Sequence, residues 1–157
     1  MKVEINGDDV GDYKDFYRLL ARAISPQGAD LYFGWDMHSL QDCLFGGYHG
    51  EPPYHIVVRS AERLLDAFGY VGMALYCRDM LETIEGGGRG LVGEEQKGYF
   101  TKGLQAAEAL EGWPLLRWLY AVVESAPASL LLLAKDGREL GRVVGERCAE
   151  GDPELPA

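Results

Sequence analysis

Two aliphatic stretches constrain the architecture of this chain more than any other feature. His55-Ile56-Val57-Val58-Arg59 has a continuous apolar middle rather than an alternating one, and Leu130 to Ala134 is the longest uninterrupted aliphatic run. A strand that is apolar at every position must be covered on both faces, as in a buried parallel sheet. Neither stretch is long enough to be a membrane span. The fold they predict is α/β, with helices packed on a small, mainly parallel sheet.

The remaining elements fall around those strands. Val3 and Ile5 alternate with polar residues before Asn6-Gly7, which gives a short strand and a turn. Asp12 caps a helix in which Phe16, Leu19, Leu20, Ala23 and Ile24 recur at helical spacing, ending before Pro26. A second helix starts at its cap Asp36 and runs to about Phe45, where Gly46-Gly47 stops it. Ala61 to Phe68 is helical, and so is Leu75 to Ile84. The glycine run at 86–90 lacks the Gly-Lys-Ser/Thr of a phosphate-binding loop. Helices are expected near 94–111 and 114–125, the latter entered through Pro114. Ser129 to Ala134 and Glu139 to Val144 form a C-terminal hairpin around Asp136-Gly137. The tail at 151–157 is expected to be disordered.

Charge narrows the partners. The net charge is −10, which disfavours direct nucleic-acid binding and favours encounter with a basic protein. No lysine or arginine stands between Arg22 and Arg59. That window holds Asp30, Asp36, Asp42 and Glu51, all three histidines, and Tyr32, Phe33, Trp35, Phe45, Tyr48 and Tyr54. Cys43, Cys77 and Cys148 are odd in number, widely spaced and outside any C-x-x-C pattern. They are expected to be reduced thiols, as in the cytoplasm. The N-terminal residues lack the apolar core of a signal peptide.

The second helix concentrates the chemistry. At about 100° per residue, Met37, Leu40 and Leu44 share one face with Cys43 at its edge, while His38, Asp42 and Phe45 lie opposite. Aromatics beside a carboxylate with no local cation have the make-up of a binding hot spot.

These residues carry a resemblance. Tyr32-Phe33-Gly34-Trp35-Asp36-Met37-His38-Ser39-Leu40-Gln41-Asp42-Cys43-Leu44 resembles the barstar signature Tyr-Tyr-Gly-x-Asn-Leu-Asp-Ala-Leu-Trp-Asp-Cys-Leu. The opening Val3-Glu4-Ile5-Asn6-Gly7, the helix after it and the strand at 55–59 follow in that family's order, so the similarity is good over 1–68 and returns weakly at 115–133. The resemblance implies a barstar-like fold of three parallel strands with helices packed around them, and an inhibitor that masks a ribonuclease active site inside the producing cell, as an immunity protein or antitoxin does. It makes Asp42 the aspartate that stands in for a substrate phosphate, and Tyr32, Phe33 and Gly34 the loop that covers the cleft. His38 replaces a family aspartate and Gln41 a family tryptophan. The family's acidic contact on its final helix falls near Ala121, with Glu124 one turn later.

Together these readings give a partner-binding set of Tyr32, Phe33, Gly34, Trp35, Asp36, His38, Asp42, Phe45 and Gly46. The expected partner is a basic ribonuclease or another basic toxin, with no membrane, no cofactor, no metal and no catalytic residue of the chain's own. The expected organisation is one domain over 1–150, with its core in 1–68 and about 114–134 and an insertion at about 69–113. Two alternatives are weaker. His38, Asp42, His49 and His55 could form a metal site. A barstar-like fold could also serve as a binding or regulatory module without inhibiting a nuclease.

Overall fold

The computed structural model describes residues 1–24, 36–46, 52–87 and 94–148. Strand β1 (Lys2–Asn6) alternates, with Val3 and Ile5 buried and their neighbours exposed. Strands β2 (Tyr54–Arg59) and β3 (Ala128–Leu133) are buried along all but their last residue. Position explains the difference. The sheet order is β1-β2-β3-β4, so the two aliphatic strands lie in the middle and β1 lies at an edge. β1–β2 and β2–β3 are parallel, and β3–β4 is antiparallel, with β4 at Glu139–Val144. The three parallel strands and the hairpin expected from sequence are both present, and the hairpin's return strand completes the sheet as a fourth. Gly137 makes that turn at φ 86°, where a side chain would be strained.

Helix α1 (Tyr13–Ile24) is capped as its sequence dictates. Asp12 Oδ1 accepts from the amides of Lys14 at 2.9 Å and Asp15 at 3.1 Å. Asp15 returns the favour, accepting from the amides of Gly11 and Asp12, in the reciprocal pattern that satisfies orphan donors at a helix start. Burial opposes ionisation of Asp15, but those two amides and Arg18 outweigh it and hold its carboxyl below the ordinary value.

Helix α2 spans Met37–Leu44, α3 Glu62–Ala67, α4 Tyr70–Glu85, α5 Glu94–Glu108 and α6 Leu115–Ser125. α4 begins at Tyr70, ahead of the Leu75 expected from sequence. Gly72 is accommodated because α4 crosses directly over the end of α3: a Cβ at this position would collide with the Ala67 carbonyl oxygen. α5 ends at Glu108 rather than near 111, because Leu110 turns into the left-handed region at φ 56°. The amides of Leu110 and Glu111 then bond back to the carbonyls of Ala107 and Ala106, which closes the helix in a Schellman arrangement.

One apolar core joins these parts. It runs from Val3 and Ile5 through α1 and α2 to β2 and β3, and it takes in Met73, Cys77 and Met80 of α4 and Phe100 of α5. The helices of the expected insertion therefore share the core of the rest. α1 and α4 are also tied by polar contacts at its rim: Tyr13 Oη donates to Asp79 at 2.6 Å and Lys14 pairs with it at 3.3 Å. Among the described residues no helix is long and apolar enough to cross a membrane.

Candidate protein-binding surface

α2 is a short helix, held by its two ends and one face. The Asp36 carboxylate accepts from the Ser39 amide at 2.7 Å, so the residue is the cap its sequence position implies. At the other end Phe45 and Gly46 bond back to Gln41 and Cys43, and Gly46 leaves the helix at φ 93°. Met37, Leu40, Cys43 and Leu44 are buried to 1% exposure or less, and each fully buried side chain of this size contributes about 1.5–3 kcal/mol. Two contacts fix the first turn against neighbouring helices: Tyr17 Oη donates to Met37 Sδ at 3.3 Å, and the Met37 amide donates to Tyr76 Oη at 3.2 Å.

His38, Asp42 and Phe45 are exposed on the opposite side, as the helical spacing requires. Asp42 makes no ion pair or hydrogen bond among the described residues. Its carboxylate therefore stands in water on a rigid helix, available to cations brought by another molecule. Tyr32, Phe33, Gly34 and Trp35, the expected covering loop, lie outside the described residues. Asp36 is half-buried and committed to the cap, while Gly46 serves the helix end.

Two features of this surface come from distant parts of the chain and are invisible in the local sequence. Arg147 lies over the Phe45 ring, 5.2 Å from its centroid, so a segment with no cation of its own receives one from beyond β4. Gln41, at the position of the family tryptophan, donates to Ser125 Oγ at 3.3 Å and links α2 to the end of α6. Glu124 is exposed next to that serine. Ala121, one turn earlier, lines a cavity of about 490 Å³ among α4, α5 and α6 together with Trp113 and Trp118. Sequence reasoning did not single out that aromatic region. A signal was present in Tyr99, Trp113 and Trp118, but helical spacing alone does not separate a core ring from an exposed one.

The chemistry of rival sites is limited by the same geometry. Among the described residues no group of three or more His, Cys, Asp and Glu side chains could hold a metal ion. His49 lies outside them. His55 is buried inside the sheet and pairs with its cross-strand neighbour, Nδ1 lying 2.9 Å from Ser129 Oγ. Burial pushes the Cys43 thiol up to about 12 and the Cys77 thiol up to about 11. Both stay protonated at neutral pH, and a thiol is a poor nucleophile in that state.

Residues 1–77 match the family model described as Barstar (barnase inhibitor). This match, over just under half of the chain, supports a barstar-family assignment. The matched segment contains β1, α1, α2, β2, α3 and the first half of α4, and it reaches past the end of the similarity at residue 68 noted in the sequence. Asp42 and the whole of α2 are therefore inside the barstar-family segment, whereas α5, α6 and the hairpin are outside it. No curated protein and no solved structure matches the chain.

Proposed function

We propose that this chain is a protein inhibitor whose α2 surface, with the loop before it, occupies the active site of a basic ribonuclease or a related basic toxin. The observation that carries the reading is Asp42: an exposed carboxylate, unpaired among the described residues, on a helix anchored at both ends and inside the segment that matches a barnase-inhibitor family. A ribonuclease must hold phosphate with arginine, lysine or histidine, and a fixed carboxylate can take the same hydrogen bonds. Removing charges from water is costly, so several cations must converge on Asp42 for the exchange to be favourable. The net charge of −10 speeds encounter with such a basic surface. The protein would act in the cytoplasm, before its target is exported, and would catalyse nothing.

His38 and Arg147 shape the choice of target. His38 cannot accept from a guanidinium as a carboxylate does, and Arg147 adds positive charge beside Phe45. Both features favour a target whose cleft differs from that of the usual guanyl-specific ribonucleases. They also support the second reading, a barstar-fold binding module that does not inhibit a nuclease. Titration calorimetry against a panel of basic microbial ribonucleases, wild type beside Asp42→Ala, tests the proposal. Tight one-to-one binding that the variant loses is the expected result. An absence of binding across the panel would leave the module reading in its place.

A further inference from the structure

Beside the first turn of α2 lies a small box built between that helix and α4, α5 and α6. Its walls are aromatic rings set edge to face. Tyr76 meets Trp118 at 5.2 Å and Phe100 at 6.1 Å between centroids, and Tyr99 meets Phe100 at 5.2 Å and Trp118 at 6.4 Å. Asp36 and His38 of α2 line the same cavity, which has a volume of about 240 Å³. Gln96 of α5 also lines it, and the Gln96 Oε1 atom is buried with no hydrogen-bond donor among the described residues.

Each of these features asks something of an occupant. A buried acceptor without a donor is unfavourable by the full desolvation cost of the group, so the occupant should bring N–H groups. Aromatic faces attract a cation lying over them. Asp36 adds negative charge close by: after burial, it is a cause that keeps the Tyr17 and Tyr76 hydroxyls above their ordinary values. The volume is below the 300–1,000 Å³ usual for small-molecule sites, and suits one side chain. A planar cation with several N–H donors meets all four requirements, and among side chains that is the guanidinium of arginine.

We propose that this box is an arginine-binding pocket and that its occupant is an arginine side chain of the partner protein, which inserts beside His38 while Asp42 engages the partner's basic cleft. The partner as source rests on the inhibitor reading. The guanidinium chemistry stands on the box itself.

The first experiment needs no partner. The full-length protein, labelled with ¹⁵N, is titrated with N-acetyl-arginine amide while the tryptophan indole N–H signals are followed, with N-acetyl-citrulline amide as the uncharged control. The proposal expects a saturable shift of the Trp118 indole with the arginine probe and none with citrulline. It expects binding about tenfold weaker in Gln96→Leu, since a hydrogen bond to a charged group is lost, and weaker also in Tyr99→Leu. No saturable shift, or equal response to the two probes, overturns the pocket. The second experiment measures partner affinity. Gln96→Leu should weaken the complex about tenfold. An unchanged affinity, in a complex that Asp42→Ala abolishes, overturns the arginine contact and leaves the inhibitor reading standing. Arginine binding with no nuclease bound would overturn the partner as source and the inhibitor reading, but not the box.

Discussion

The α2 surface and the aromatic box sit side by side and share Asp36, yet they are built on opposite plans. α2 exposes its functional groups: Asp42 stands in water, and what holds it is the buried face beneath, Met37, Leu40, Cys43 and Leu44. The box conceals its groups, since Gln96 Oε1 and the rings of Tyr76 and Phe100 are withdrawn between three helices. A charge placed in water costs the fold nothing, and it gains energy only when a partner brings enough cations to offset the water it loses. A buried acceptor already costs the fold energy and recovers it when a donor arrives. The first plan suits fast, charge-steered encounter. The second suits discrimination between partners, because an analogue without the right donors leaves the acceptor unpaired.

The largest expected effect separates the two plans directly. Asp42→Ala should reduce affinity for the partner by about 2–5 kcal/mol, the usual cost of truncating one side of a buried charge pair, while changing folding stability by no more than about 0.5 kcal/mol. Calorimetry and a urea melt on the same preparation check both halves. A variant that melts early would mean that Asp42 serves the fold after all.

Leu44→Ala tests the converse for the buried face. Leu44 has 0% exposure, and its truncation should lower stability by about 2–5 kcal/mol in the same melt.

Alkaline titration compares Cys43, beneath α2, with Cys77, which lines the larger cavity that shares Tyr99 and Trp118 with the box. Both are raised from an ordinary value of 9.0. Raised groups bind protons more tightly in the folded state, so their contribution is complete below pH 9 and is lost as pH climbs toward about 11 and then about 12. Urea midpoints measured from pH 7 to 11 should hold level and then fall. Iodoacetamide at pH 8 should label Cys77 before Cys43, and the reverse order would show that the α2 contact opens more readily than the cavity does.

Asp36→Ala touches both regions. Loss of the cap should cost about 1 kcal/mol of stability, and the same variant should bind the arginine probe less well. Leu110→Gly gives the smallest change and the opposite sign. Leu110 is 67% exposed and holds φ 56°, a conformation that glycine adopts without the Cβ penalty, so a gain of about 0.5–1 kcal/mol is expected in thermal melts.

Much of the α2 surface was legible in advance. The 3.6-residue period divides Met37, Leu40 and Leu44 from His38, Asp42 and Phe45 whatever the helix packs against, and Asp36 and Gly46 mark its ends by their own local chemistry. The hairpin was equally legible, because Asp136-Gly137 between two apolar runs favours one turn. The box was not. Tyr99 and Trp118 have no periodic relation to Asp36, and their meeting depends on how α4, α5 and α6 cross. Nor could a stretch free of basic residues reveal that Arg147 would lie on Phe45.

The sequence by itself determined what short-range physics governs: the helices and strands, the buried character of β2 and β3, the outward face of α2 and the acidic charge. Tertiary structure alone decided which side chains from distant segments meet. It set Gln41 on Ser125, Arg147 over Phe45, and Gln96 Oε1 beside Asp36 with no donor among the described residues. Backbone periodicity is fixed within a few residues along the chain, whereas contacts between helices follow from the packing of the whole core.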